Sequence, residues 1–283
     1  MASLVYQRRL LPLLLLLVLT ACATGNSANT RQAQTAPNSP AKLEKAPVNK
    51  VPVIHLFVAL CDNVNQGIVP VSAILGNGDN PKTNLYWGAA FGVKTFFSKH
   101  KDWELISTTA KPDSVVLERS LFKHRHHDLF LIADAYQGKE IAQATKDFLD
   151  AAGGKPGETL KANGVELHTH GSAEMVVYVG HNGLMDFKLA ATPQQRDDRH
   201  RKAIILACAS KPYFASALRQ TGASPLLWTT NLMAPEAYTL AAAIDGWLNQ
   251  ESDEQIRLRA AQAYDKYQKC GLKSARTLFA TGW

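Results

Sequence analysis

Two chemically reactive side chains each close an apolar run. In "VVYVGHNG" the run ends on His181, and in "AIILAC" it ends on Cys208. A thiol becomes a nucleophile when a neighbouring imidazole takes its proton, and the resulting imidazolium can later protonate an amine leaving group. Addition to a carbonyl also creates an oxyanion, which backbone N–H groups in a turn such as His181-Asn182-Gly183 could hold. The pair therefore suits acyl transfer from an amide. Each residue taken alone also has an ordinary role. Cysteine at a strand end is a small buried hydrophobe, and a turn histidine caps carbonyls. Joint chemistry requires the two runs to be neighbouring strands with both ends on one edge.

The elements between and around them permit this. "VPVIHLFVAL" (52–60), "DLFLIADAY" (128–136), "EMVVYVG" (174–180), "KAIILAC" (202–208) and "PLLWTTN" (225–231) are apolar throughout, as strands covered on both faces are. "SVVLERSLF" (114–122) has the look of an edge strand. Helical segments separate them: "TNLYWGAAFGVKTFFSKH", with Leu85, Ala89, Val93, Phe96 and Phe97 at helical spacing; "GKEIAQATKDFLDAAGG", stopped by Gly153-Gly154; and "KPYFASALRQTGA", with Gly222 near its C-cap. "PEAYTLAAAIDGWLNQ" starts on a proline and "SDEQIRLRAAQAYDKYQKC" on a Ser252 cap. The expected fold class is α/β, a mostly parallel sheet with helices on both faces. Right-handed crossovers then put the strand C-termini on one edge, where such sheets bind ligands.

At this point the chain resembles the caspase–gingipain–legumain clan of cysteine peptidases and their CHAT-type relatives. In that clan a hydrophobic strand ends on His-Gly and the next ends on Ala-Cys, matched here by "VVYVGHNG" and "IILAC". "GASPLLWTTNLMAPEAYTLAAAIDGWL" is similar to the strand and helix that follow the clan's nucleophile, and the likeness in element order runs from about 52 to 250. The resemblance implies a caspase-like domain with Cys208 as nucleophile, His181 as general base and acid, and peptides as substrates. The chain departs from the pattern in placing Asn182 between His181 and Gly183. That departure favours an alternative, a non-catalytic binding or scaffolding protein that keeps the fold. Asn63 matches the Asn that supports the histidine in legumain-like enzymes, with Asp62 and Asn65 as competitors. Asp186 reads either as a turn acid or as a group that recognises a basic part of the substrate.

The N-terminus carries a different signal. "MASLVYQRRLLPLLLLLVLTAC" has Arg8 and Arg9, a leucine-rich stretch too short to span a membrane comfortably, and then small residues before Cys22. Leu-Thr-Ala-Cys resembles the bacterial lipobox, whose cysteine is lipidated and becomes the mature N-terminus. Ala23 in the next position favours the outer membrane. This divides the chain into a leader (1–21), a polar, proline-containing tether (22–50) and one domain (51–283). Loss of Arg8 and Arg9 lowers the formal charge of +7 by two. The remaining excess is spread along the chain, and no basic–aromatic motif accompanies it, so nucleic acid is not an expected partner. The expected partners are the membrane, through the anchor, and an envelope peptide or protein.

With Cys22 lipidated, Cys61, Cys208 and Cys270 remain, and an odd number in an exported protein suggests a free thiol. If Cys208 is that thiol, Cys61–Cys270 is the natural pair. "KHRHHD" (123–128) and the alternating His168 and His170 of "HTHG" offer metal-ligand types, but spacing fixes no third ligand. No Gly-x-Ser-x-Gly elbow and no phosphate-binding glycine motif occurs, so neither a serine hydrolase of the α/β type nor a nucleotide cofactor is implied. Trp87, Trp103 and Trp228 suit the core or a cleft wall.

Overall fold

The computed structural model describes residues 43–191 and 193–283. The expected leader, the lipobox cysteine Cys22 and most of the tether lie outside the described residues. Among those described, no helix is long and apolar enough to cross a membrane.

The chain forms strands β1 (Val53–Ala59), β2 (Trp103–Ala110), β3 (Val116–His124), β4 (Phe130–Tyr136), β5 (Pro156–Ala162), β6 (Val165–His170), β7 (Met175–Val179), β8 (Lys202–Leu206), β9 (Ser224–Thr229) and β10 (Phe279–Ala280). Helices are α1 (Val93–Lys99), α2 (Ile141–Ala152), α3 (Ser210–Thr221), α4 (Ala237–Leu248), α5 (Asp253–Gln268) and α6 (Leu272–Leu278). Eight strands make one sheet in the order β10-β9-β8-β7-β1-β4-β3-β2, and β5 and β6 pair as a separate hairpin. The central five, β9 to β4, run parallel; β10, β3 and β2 are antiparallel to their neighbours.

Alternation along β1 shows how the sheet is buried. Ile54, Leu56 and Val58 face one layer, which contains Val93 and Phe97 of α1, Leu240 and Ile244 of α4 and Ile256 of α5. Val53, Phe57 and Ala59 face the other, with Phe148 of α2, Phe214 of α3 and Leu167 of the hairpin. Side chains of a strand point alternately to the two faces. A strand apolar at every position is therefore stable only when both faces are covered, as here.

Four expectations need correcting. The residues 114–122 do not form an edge strand: β3 lies between β4 and β2, and β2 takes the edge. Residues 83–92 are turns, so the helix starts only at Val93. Asn84 explains why. Its buried side chain accepts from Cys61 N (3.0 Å) and Tyr86 N (3.1 Å) and donates to Cys61 O (2.8 Å), bonds that replace those of a helix. The tether also ends earlier than residue 50, because buried Asn49 accepts from His168 N (2.7 Å) and donates to His168 O (2.9 Å) and Ser172 O (3.0 Å). Finally, Cys61 and Cys270 form no disulfide. Both are free, the first buried and the second exposed.

Candidate active site

β7 and β8 are parallel neighbours, with Val179 opposite Leu206. His181 and Cys208 therefore leave the same sheet edge side by side. Gly180 makes the turn after β7. Its φ of +147° suits glycine, and a Cβ there would lie 2.7 Å from Ala59 O. Cys208 sits between β8 and α3, followed by Ala209 in the left-handed region at φ 47°, ψ 39°. A non-glycine residue in that region stores of order 1–2 kcal/mol of strain, which the surroundings must hold. Here a buried hydroxyl pair does so. Ser210 Oγ donates to Ile205 O (2.8 Å) and lies 3.1 Å from Thr229 Oγ1, which in turn donates to Ala207 O.

The two turns are joined by Asn182, the residue that departs from the His-Gly pattern. Its fully buried side chain donates to Cys208 O at 2.7 Å and accepts from Leu184 N at 3.1 Å. Asn182 thus clips the two strand ends together, and neither it nor Gly183 is among the residues lining the cavity beside the thiol.

That cavity, about 390 Å³, is lined by both Cys208 and His181, with Tyr86, Met185, Met233 and Glu236 among its other walls. His181 is nearly buried, and its Nε2 lies 2.8 Å from Asp186 Oδ2. The same carboxylate oxygen accepts from Gly67 N at 2.9 Å, which fixes Asp186 in place. With Nε2 donating to Asp186, Nδ1 is the ring nitrogen left to accept a proton. Asp186 thus orients the imidazole, a role its position in the turn did not suggest.

Asp62 and Asn63, the sequence's candidates for that role, hold the loop after β1 instead. Asp62 Oδ1 accepts from Val64 N (2.9 Å) and Asn65 N (3.2 Å), and Asn65 Nδ2 donates to Asp62 Oδ2 (2.8 Å). Asn63 exchanges two bonds with the main chain of Val71 (2.8 and 3.0 Å).

The thiol is half-buried and unbonded to His181. Its Sγ faces the Met233 main chain, accepting from the N–H at 3.4 Å and donating to the carbonyl at 3.6 Å. A thiol–imidazole contact would require the Cys208 side chain to leave its bonds to Met233. The other nearby cysteine is unsuited to such chemistry, because burial pushes the Cys61 thiol up to about 11, against a hydrogen bond from Tyr86 that pulls it down.

The histidines at 124 and 168 have structural roles. His168 Nδ1 lies 2.8 Å from Thr159 Oγ1, and His124 Nδ1 accepts from His126 N and His127 N at 3.2 and 3.1 Å. Among the described residues no group of three or more His, Cys, Asp or Glu is placed to hold a metal ion. Trp87, Trp103 and Trp228 are all fully buried and none lines the cavity. Compared with protein-family models, with curated proteins and with solved structures, the chain matches none.

Proposed function

We propose that this protein is a cysteine peptidase with a caspase-like domain, in which Cys208 attacks a peptide carbonyl and His181 first takes and then returns the proton. The observation that carries the proposal is the convergence of Cys208 and an Asp186-oriented His181 on one cavity at the ends of adjacent parallel strands. His181 Nδ1 would receive the thiol proton as Sγ bonds to the carbonyl carbon. The imidazolium, stabilised by Asp186, would then protonate the leaving amine as the C–N bond breaks, and water would hydrolyse the thioester. The order of elements and the pairing of the His and Cys strands support the clan resemblance. We place the domain at the outer membrane through a lipid on Cys22, in keeping with the leader and lipobox-like run.

A second reading rests on the bonds of the thiol to Met233: a cleft that binds an envelope partner without cleaving it. The two are separated by the rate of Cys208 alkylation. In the peptidase, iodoacetamide labels Cys208 rapidly at pH 6.5, His181→Ala slows the reaction, and a peptide library is cut. Slow labelling that ignores His181, with no cleavage, sinks the peptidase and leaves the binding cleft. The anchor is tested separately, by incorporation of labelled palmitate in cells and its loss in Cys22→Ala.

A further inference from the structure

The cavity wall beside the dyad is apolar, with Ile68, Val71, Leu85, Tyr86, Met233 and Pro235 contributing to it. Apart from His181, its lining contains one ionisable residue with a formal charge at neutral pH, Glu236, and no lysine or arginine. Glu236 stands at the N-cap of α4, where a carboxylate ordinarily accepts from the first turn's N–H groups. It makes no such bond. Its Oε2 accepts only from neutral donors, Tyr238 Oη at 2.7 Å and Gln268 Nε2 at 3.0 Å. Among the described residues no cation pairs with it, although ion pairs are plentiful around the neighbouring α5.

We propose that Glu236 is the counter-charge for a basic side chain of the substrate, so that the cavity selects peptides carrying lysine or arginine at the residue it holds. This deepens, and rests on, the peptidase reading of the same cavity. A lysine or arginine is an apolar stem with a charged head. The stem would lie against the aliphatic wall and the head would reach Glu236. The span is suitable: Met233 touches the thiol, and Glu236 follows three residues later, within about 10 Å of chain even if fully extended. An acidic side chain would bring a second negative charge beside Glu236. A purely apolar one would strip water from the carboxylate and give it no partner, which is unfavourable. Of the three classes, the basic one alone satisfies both the wall and the charge.

The test uses the Cys208→Ala protein, which cannot turn over, and fluorescent peptides identical except for one position bearing lysine, leucine or glutamate. Fluorescence anisotropy should show the lysine peptide bound roughly ten- to hundredfold more tightly than the leucine peptide, the scale of a hydrogen bond to a charged group. Adding Glu236→Gln should bring that ratio near one. Adding Glu236→Lys should shift the preference to the glutamate peptide, a reversal that misfolding does not produce. Cleavage of the same peptides by the unsubstituted protein is followed in parallel. Lysine preference without cleavage keeps the subsite and overturns the peptidase. Cleavage without lysine preference keeps the peptidase and overturns the subsite. Equal binding of the three peptides without cleavage overturns both.

Discussion

Two of the histidine–aspartate pairs among the described residues, His181–Asp186 and His55–Asp134, differ in one respect that decides what each can do. At the sheet edge, His181 gives Nε2 to Asp186 and keeps Nδ1 out of any hydrogen bond among the described residues, on the wall of a cavity. In the middle of the sheet, His55 on β1 also places Nε2 on a carboxylate, Asp134 of β4, at 3.0 Å. Its Nδ1, however, accepts from His170 N at 3.0 Å, and the residue is 0% exposed. Asp134 is saturated as well. Arg119 of β3 grips it through Nε (2.5 Å) and a terminal nitrogen (2.8 Å), and reaches Glu158 of β5 with the other (2.5 Å). Burial opposes charge on Asp134, yet the bonds from Arg119 and His55 outweigh it and hold the carboxyl well below its usual range. One pair is a closed network that ties the hairpin to the sheet. The other has a vacant nitrogen and an entrance. A histidine–carboxylate pair is thus no evidence of chemistry until the second ring nitrogen has been accounted for.

The contrast can be broken most severely at His181. His181→Ala should lower peptide cleavage by about 10²–10⁴-fold, the usual weight of a general acid–base, and leave the urea midpoint close to that of the parent. Asp134→Ala should do the reverse. It leaves Arg119 with Glu158 alone and His55 Nε2 without its acceptor, and should cost about 3–5 kcal/mol in urea unfolding, with the Cys208 alkylation rate of the folded fraction retained. If both variants behave alike, the two pairs are not distinct in kind. Asp186→Asn should be milder than loss of His181, about 10–100-fold in cleavage, because it removes the orienting group and not the base.

A smaller effect separates the regions by pH. His170, packed by Phe57 and His55 at the end of β6, is driven down to about 3, first by burial and then by the electrostatic influence of His55, Arg119 and Lys155, against the pull of Asp134. The unfolded chain takes up a proton near pH 6.5 while the folded one stays neutral, so stability should fall as pH drops from about 6.5 toward 3, by about 1.4 kcal/mol per unit at most. Unfolding measured between pH 7 and 4 should show this slope, and His170→Asn, which tolerates the residue's φ of +54°, should flatten it. Asp134 acts lower on the scale. Its stabilisation is fully present above the ordinary carboxyl pKa of about 3.9 and is lost only as pH falls through its lowered folded value. The smallest effect belongs to Ala209→Gly, which should relieve about 1 kcal/mol of strain and raise the melting temperature, while slowing alkylation by loosening the Cys208 turn.

Much of this was legible in the residues alone. Largely apolar strands such as β1, β7 and β8 are stable only inside a covered parallel sheet, so the placement of His181 and Cys208 on one edge follows from pattern and handedness. Gly222, at φ +75°, closes α3 as expected, and Ser252 N donates to Gln255 Oε1 at 2.8 Å where α5 begins. What escaped was set by contacts distant in sequence. β2 is mostly exposed and polar, "WELISTTA", and owes its existence to pairing with β3. The resemblance points to Asp62 and Asn63, in the loop after β1, as support for His181, while Asp186, five residues from the histidine, reads from sequence as a turn acid or a substrate-recognising group. Only the short turn over Gly183–Met185, which reverses the chain, brings that carboxylate back to the ring. Glu236 carried no signal at all, since nothing local tells a capping acid from one aimed elsewhere.

Asn182 holds the two strand ends together without touching either reactive group: it grips the carbonyl of Cys208, not its sulfur. The shape of the cleft is therefore insured independently of its reactivity. A descendant that lost the thiol would inherit the groove, the apolar wall and the acid at its end intact, so if the proposed peptidase is right, one substitution would turn a cleft that cuts a ligand into one that merely holds it. On that reading, the step between enzyme and receptor is one side chain wide.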